Sequence, residues 1–316
     1  MGAIQILTYL CTASFLVFLV ARVVKYMKTP IHVRWELYPV AHEKGRAEYG
    51  GSSFEEFEWW KKPREIDFVN ELKEMFLEII LLKGVYQHNR KLWVFSFPFH
   101  MGMYLIIAWL GWLTFSVIFA LAGMSMVGGF GKFLQVGNAI LGFGGLGLTA
   151  VGALGLLFRR ITDDNVRRYS TPVEYLNLIF VLASVGTALI YHIGTDPWFV
   201  SVAAFMAALF SFSPAMPMST LFQVEVVLGG LLLAYMPLSR MGHFIAKYFL
   251  YHDVRWSDEP NMRGSKIEAQ IKEAFGFRMN WSASHIQSGK TWGEVATSEM
   301  ADLKPEKSKN TKEAKA

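Results

Sequence analysis

The chain has 316 residues, of which 53% are hydrophobic and 18% are charged, and its formal net charge is +5. This composition is typical of a polytopic membrane protein rather than of a soluble domain. Cys11 is the only cysteine, so the chain by itself holds neither a structural disulfide nor a four-cysteine iron–sulfur cluster. A Cys-x-x-Cys-His motif is absent, which excludes covalent heme, and no feature beyond the small positive charge points to nucleic acid.

Five apolar runs reach the length of about 20 residues that crosses the hydrocarbon core of a bilayer. They cover residues 4–24, 97–122, 133–158, 174–193 and 221–246. A sixth stretch, Phe199 to Phe212, is shorter and predicts an interfacial or re-entrant segment. The first run lacks a preceding basic segment and a clear cleavage site, so we expect a retained helix. The predicted fold is therefore all-α, an integral membrane bundle of five transmembrane helices.

The basic residues predict the orientation of this bundle. Arg159, Arg160, Arg167 and Arg168 lie between the third and fourth spans, whereas residues 194–221 contain neither Lys nor Arg. The positive-inside rule then puts the N-terminus outside and the C-terminus in the cytoplasm. We expect a multi-pass protein of the cytoplasmic (inner) membrane. Its predicted parts are a first transmembrane helix (1–27), a cytoplasmic loop (28–92), a four-helix membrane domain (93–250) and a cytoplasmic tail (251–316).

Both hydrophilic parts contain recognisable segments. The loop carries Arg34-Trp-Glu-Leu-Tyr-Pro39, and helical spacing of its apolar residues within 66–82 predicts an amphipathic helix. The tail ends in a Lys- and Glu-rich segment from Lys304 onward, which we expect to be disordered. Between Trp281 and Trp292 the tail keeps aromatic residues in a polar context. Docking on a partner and packing on the chain's own loop both explain them.

Three histidines lie within or at the edge of the predicted spans, where ionisable residues indicate function. His100 comes early in the second span and His243 late in the fifth, so the predicted topology gives them similar depth in the cytoplasmic half. Two imidazoles at one level can ligate a heme iron from both sides. The alternative is two separate histidines, each bonded to a neighbouring carbonyl. The third, His192, closes the fourth span near Asp196.

Several motifs within about residues 95–250 match a known family in order and spacing. They are Phe99-His100-Met-Gly-Met; Leu156-Leu-Phe-Arg-Arg160 with Val166-Arg-Arg and Ser170-Thr-Pro; and Leu228-Gly with Pro237-Leu-Ser-Arg and His243. The chain thereby resembles the cytochrome b (gamma) subunit of respiratory nitrate reductase. Its loop motif and aromatic tail resemble more closely the membrane subunits of heterodisulfide reductase and of the transmembrane redox complexes of sulfate-reducing organisms.

The resemblance implies two stacked hemes b in the four-helix domain. It assigns His100 and His243 as axial ligands of the inner heme iron, whereas the outer ligand positions here hold Leu110 and Glu225. One heme b is therefore expected, and a second stays an alternative. His192 has three interpretations: an outer heme ligand, a satisfied interfacial histidine, or a proton relay with Glu225. A buried carboxylic acid can stay protonated and exchange protons with a quinone.

We therefore expect a quinone-linked electron-transfer subunit of a membrane oxidoreductase complex in anaerobic respiration. It would pass electrons between menaquinone or another quinone and a cytoplasmic iron–sulfur partner. The resemblance implies that this partner is heterodisulfide-reductase-like and that other membrane subunits share the complex. Arg240 and Arg90 either pair with heme propionates or anchor their helices. The rival functions are a heme-free membrane anchor and a proton or solute transporter, although the spans show no internal repeat.

Overall fold

The computed structural model describes residues 2–29, 40–45, 52–256, 258–283 and 285–298. Within these residues the chain is helical and forms no β-strand, which confirms the all-α class. The loop motif Arg34–Pro39 and the tail from Lys304 onward lie outside the described residues. The chain divides into two compact units. The first unit is Met1–Arg22 with Val69–Gly242, and the second unit is Val23–Phe68 with His243–Ala316.

The α-helices, in chain order, are α1 (Ala3–Met27), α2 (Phe68–Ile79), α3 (Lys83–His88), α4 (Arg90–Leu121), α5 (Gly129–Thr162), α6 (Asp164–Arg168), α7 (Pro172–Gly194), α8 (Val200–Phe210), α9 (Thr220–Tyr235), α10 (His243–Phe249), α11 (Lys266–Phe275) and α12 (Trp292–Ala296). Five of the described helical segments can cross a membrane, as predicted: α1, α4, α5, α7 and the segment Thr220–Leu238 that contains α9. The short apolar stretch is α8, and the predicted amphipathic helix is α2.

The helices α4 and α5 pack closely because glycines line their contact. A Cβ atom added at Gly102 would lie 2.3 Å from the backbone nitrogen of Thr149. One added at Gly152 would lie 2.3 Å from the backbone nitrogen of Phe99. Neither position accepts a larger residue without a backbone shift, so small residues set the close approach of these two helices. This contact holds the α4 turn that contains His100.

The helices α7 and α9 run antiparallel, so the start of α7 lies beside the end of α9. The Tyr235 hydroxyl there donates a hydrogen bond to Oδ1 of Asn177 at 2.9 Å. Close by, the Arg22 guanidinium of α1 donates to the backbone oxygen of Ser239 at 2.9 Å. We call this end of the first unit, which also carries Arg160, the arginine end. The opposite end holds the end of α7 and the start of α9.

The fifth predicted span, 221–246, is present as Thr220–Leu238, but it ends before His243 and does not continue to residue 246 as one helix. The helix α9 ends at Tyr235, and two 3-10 turns, Met236–Leu238 and Arg240–Gly242, separate it from α10. Pro237 has no backbone N–H to donate and its ring crowds the preceding turn, which interrupts an α-helix. His243 therefore begins a new short helix in the second unit, and its depth no longer follows from counting residues along α9.

The second unit contains a buried ion pair. The Glu43 side chain is 2% exposed, and its Oε1 accepts hydrogen bonds from Nε of Arg64 at 2.8 Å and from Oγ of Ser53 at 2.6 Å. Nδ1 of His252 lies 2.5 Å from Oδ2 of Asp258 in the same unit. A buried ion pair needs such additional hydrogen bonds to offset the loss of hydration.

The aromatic tail segment folds back on its own backbone. The Met279 amide donates to the oxygen of Lys290 at 2.8 Å, and the Trp292 amide donates to that of Phe277 at 3.0 Å. These bonds lie within the segment itself, so packing on the chain's own loop stays a prediction. Trp281 and Trp292 stay 47% and 42% exposed, so docking on a partner stays a prediction.

Candidate functional site

A buried polar cluster surrounds His192 at the end of the bundle opposite the arginine end. The His192 side chain is 0% exposed, and its Nε2 lies 3.1 Å from Oε1 of Glu225. His192 lies near the end of α7 and Glu225 near the start of α9, so the antiparallel packing of these helices brings the two side chains together. The sequence predicted this proximity.

The hydrogen bonds of His192 determine where its protons lie. Nδ1 contacts the backbone oxygen of Asp196 at 2.9 Å, and a carbonyl oxygen only accepts, so Nδ1 carries a hydrogen. The bond between Nε2 and Glu225 then requires one further proton, held by either partner. The pair is therefore an imidazole with a carboxylic acid, or an imidazolium with a carboxylate. In both forms the two side chains share one transferable proton.

Asp196 fixes the loop on the other side of the His192 ring. Its carboxylate accepts hydrogen bonds from the backbone amides of Val200 and Ser201 at 2.9 and 2.8 Å, which caps α8. Its Oδ2 lies 3.6 Å from Nδ1 of His192. The imidazole thus lies between two carboxyl groups, those of Asp196 and Glu225.

The second oxygen of Glu225 differs from the first in its hydrogen bonding. Oε2 is sealed from solvent and has no hydrogen-bond partner among the described residues. A buried acceptor in this condition costs about 1–3 kcal/mol until a donor reaches it. Oε2 therefore keeps an acceptor position that none of the described residues fills.

Phe199 fills the interior beside His192. Its side chain is buried, and its ring centroid lies 4.1 Å from that of His192 and 4.8 Å from that of Trp109. Its φ of +56° lies in the left-handed region, which costs an L-residue about 1–2 kcal/mol. A Cβ atom added at Gly142 would lie 2.6 Å from the Phe199 ring. Phe199 therefore inserts tightly between α4, α5 and α7.

The interior around Phe199 does not fit a heme. Leu110, at one ligand position that the resemblance implies, is 43% exposed and carries no ligand atom. Glu225, at the other, is bonded to His192. The Phe199 ring occupies the space between the helices, and Nε2 of His192 faces a carboxyl group. This geometry does not support His192 as a heme ligand.

His100 lies in the other half of the bundle, on α4. Its Nδ1 donates to the backbone oxygen of Ser96 at 2.7 Å, which leaves the lone pair of the neutral ring on Nε2. Metal-ligating histidines are commonly oriented by such a bond. A structural histidine makes the same bond, so the geometry permits ligation without requiring it. His243 belongs to the second unit, and its pairing with His100 stays a prediction.

The two arginines predicted to meet heme propionates have protein partners. Nη1 of Arg240 donates to Oε1 of Glu174 at 3.1 Å. The Arg90 guanidinium lies 4.7 Å from the centroid of the Tyr86 ring, a cation–π distance. Neither contact supports a propionate role, which stays a prediction for both residues.

Sequence reasoning missed the part played by Phe199, and a local signal for it exists. Asp196 precedes the apolar stretch that forms α8, and an Asp ahead of a helix can accept hydrogen bonds from the unpaired amides of its first turn. Its side chain turns the chain sharply between His192 and Val200. This turn brings Phe199 into the bundle rather than toward lipid.

Comparison with known proteins agrees with this architecture. The family model for the nitrate reductase gamma subunit matches residues 85–256, more than half of the chain, and the match includes His100, His192, Glu225 and His243. Neither a curated protein nor a solved structure matches. The family consists of heme b-containing cytochrome b subunits that transfer electrons within membrane complexes. With its five spanning helices and its match over residues 85–256, the chain belongs to the nitrate reductase gamma subunit family.

Proposed function

We propose that the chain binds one heme b between His100 and His243 and passes electrons between a quinone and an iron–sulfur subunit. The observation that carries this proposal is the His100 ring, held by Ser96 with its lone pair on Nε2, on a membrane-spanning helix of the family-matched region. A bound heme b would supply one-electron redox chemistry. The chain's own contribution is two axial nitrogens and an apolar surrounding.

One heme, rather than two, follows from the contrast between the two halves of the bundle. The half with His192 offers no pair of imidazoles, and its interior is closed by Phe199. A planar cofactor there would have to displace Phe199 and break the bond between His192 and Glu225. The intact packing therefore favours a single cofactor in the half that contains His100.

The His192–Glu225 pair is proposed to handle protons for the quinone. A quinol that gives up two electrons also releases two protons, and a positioned base accelerates that release. In its one-proton form the pair can accept a second proton, which gives an imidazolium beside a carboxylic acid. Oε2 of Glu225 is suited to receive it because it lacks a partner among the described residues. Menaquinone or another quinone would approach at the end opposite the arginine end.

The partner is proposed to be a cytoplasmic iron–sulfur subunit of the heterodisulfide reductase type. Cys11 is the only cysteine, so a typical cluster must be held by another chain. The arginine end would face the cytoplasm of the inner membrane, with the N-terminus outside. Protease added to sealed right-side-out vesicles should leave the tail intact. Cleavage of the tail from outside would reverse this orientation.

The visible spectrum of the purified full-length chain tests the proposed function. A reduced-minus-oxidised spectrum should show the alpha band of a low-spin heme b. Its absence from protein purified with its membrane lipids and supplied with heme would contradict the cytochrome function. The heme-free anchor would then be the better description.

A further inference from the structure

The last turn of α5 contains two adjacent arginines, each with a buried guanidinium nitrogen that has no hydrogen-bond partner among the described residues. Arg159 and Arg160 lie in the last turn of this helix, at the arginine end of the first unit. Nη1 of each side chain is sealed from solvent and has no hydrogen-bond partner among the described residues. Arginines that only anchor a helix keep their guanidinium groups in water. Helix anchoring therefore does not explain the two buried nitrogens, and we expect a further hydrogen-bond acceptor near them.

The neighbouring acidic groups do not supply that acceptor. Oδ2 of Asp163 lies 3.6 Å from Nε of Arg159, beyond hydrogen-bond distance. Glu174 accepts from Nη1 of Arg240 at 3.1 Å and from the Thr171 amide at 2.8 Å. Both carboxylates are thus oriented by other groups, while the two Nη1 atoms stay unsatisfied. An unsatisfied buried donor of a charged group costs about 1–3 kcal/mol or more.

The two arginines line a surface hollow of about 460 Å³, together with Asn89, Asp163 and Glu174. The hollow lies between the starts of α4 and α7 and the end of α5, at the boundary of the spanning segments. Basic pockets between membrane helices bind the head groups of anionic lipids. The fork of an arginine side chain also matches two oxygens of a phosphate or carboxylate.

We propose that Arg159 and Arg160 together bind an anionic oxygen group, a phosphate or a carboxylate, at this hollow. Two sources carry that chemistry: the phosphate of an anionic phospholipid and a propionate carboxylate of the heme. The lipid source is independent of the proposed cytochrome function, whereas the propionate source rests on it. In either case the anion would pair with the two guanidinium groups that line the hollow.

The test compares two double variants of the full-length chain that lose the same charge. The first is Arg159→Gln with Arg160→Gln. The control is Arg167→Gln with Arg168→Gln, which removes two exposed arginines of the neighbouring helix α6. A third variant, Arg159→Lys with Arg160→Lys, keeps the charge and loses the fork, so it separates electrostatic attraction from bidentate binding.

Two measurements distinguish the sources of the ligand. Phosphatidylglycerol and phosphatidylcholine are titrated into delipidated protein, and bound lipid is counted by native mass spectrometry. The heme reduction potential and the heme content are measured on the same samples. If lipid is the ligand, the Gln variant should bind phosphatidylglycerol at least about tenfold more weakly, with phosphatidylcholine and the control variant unaffected.

The remaining outcomes are equally decisive. A shifted heme potential or reduced heme content in the Gln variant, with lipid binding intact, supports the proposal and identifies the propionate. If the Gln variant matches the control in lipid binding, heme potential and heme content, no anion is bound there and the proposal is overturned. A chain that lacks heme altogether would refute the proposed function, yet the lipid titration would still test the anion site.

Discussion

Each half of the first unit holds a histidine by the same kind of backbone hydrogen bond, but the group proposed to face the other ring nitrogen differs between the halves. In both rings Nδ1 donates to a backbone carbonyl, that of Ser96 for His100 and that of Asp196 for His192. The difference lies at Nε2. In His192 it faces Glu225 at 3.1 Å, whereas in His100 we propose that it faces a heme iron. We propose from this comparison that the group opposite Nε2, rather than the presence of histidine, decides between proton transfer and metal ligation.

The largest expected effect is the loss of heme on substitution of either proposed ligand. His100→Ala and His243→Ala should each abolish the low-spin heme spectrum, because one axial nitrogen alone does not hold a bis-histidine heme. The visible spectrum of purified variants measures this. His88→Ala, an exposed residue at the end of α3, is the matched control and should keep the spectrum. An unchanged spectrum in either ligand variant would assign the iron to another residue.

Phe199→Ala probes the closed half of the bundle. Replacing a buried Phe by Ala costs about 3–5 kcal/mol through lost burial and the cavity left behind, and the left-handed φ strains Ala as it strains Phe. Thermal unfolding should show this loss of stability, with heme content unchanged. Phe158→Ala, at a side chain 63% exposed, should change stability by less than about 0.5 kcal/mol. Equal effects would show that Phe199 does not close the interior.

Glu225→Gln tests the proposed proton transfer at His192 separately from the proposed heme ligation at His100. The amide keeps the shape of the side chain but does not exchange a proton, so quinol-dependent reduction of the heme should slow about 100-fold. Heme content should stay unchanged, as should reduction by dithionite. Asp164→Asn removes an exposed carboxylate from α6 and should leave both rates unchanged. Loss of heme in Glu225→Gln would instead make Glu225 part of a second cofactor site.

The smallest effect is expected outside both halves, at α12. The backbone amide of Thr291 donates to the Glu294 carboxylate and lowers the pKa of that carboxyl below its usual value. A lowered folded-state pKa means that this contribution is present above the ordinary Glu pKa of about 4.3 and is lost as the pH falls through the lowered value. The protection factors of the Trp292–Ala296 amides, which correct for the intrinsic pH dependence of exchange, should therefore fall on acidification.

The matched variant for α12 is Glu294→Gln, which should remove this pH dependence and leave the heme spectrum unchanged. A changed heme spectrum would mean that effects spread across the chain, and the comparison between the two halves would then lose its basis. A persistent pH dependence would assign the effect to another carboxyl group.

The features that hydropathy reports directly were predictable from sequence. Apolar runs identify the five spans because each needs about 20 such residues. The proximity of His192 and Glu225 was also predictable, since consecutive spans run antiparallel and the end of one span lies at the same membrane face as the start of the next. In both cases the signal is local or depends only on chain order.

Features that depend on backbone conformation were harder to predict. The apolar run continues through Pro237, so hydropathy did not reveal the break before His243, although the proline itself signals it. Phe199 belongs to an apolar stretch and reads as lipid-facing. Its burial accompanies a left-handed φ next to the Asp196 hydrogen bonds, and a hydropathy pattern does not report backbone φ. Arg159 and Arg160 read as anchors because a sequence does not report which nitrogen is sealed from water.

The heme content per chain tests the central claim most directly. Pyridine hemochrome quantitation of the purified full-length chain, divided by protein from amino-acid analysis, gives this ratio. One heme b per chain is predicted, held in the half that contains His100 while Phe199 and the His192–Glu225 pair close the other half. A ratio of two would show that the closed half opens to a cofactor and would contradict the account, as would a chain that binds none.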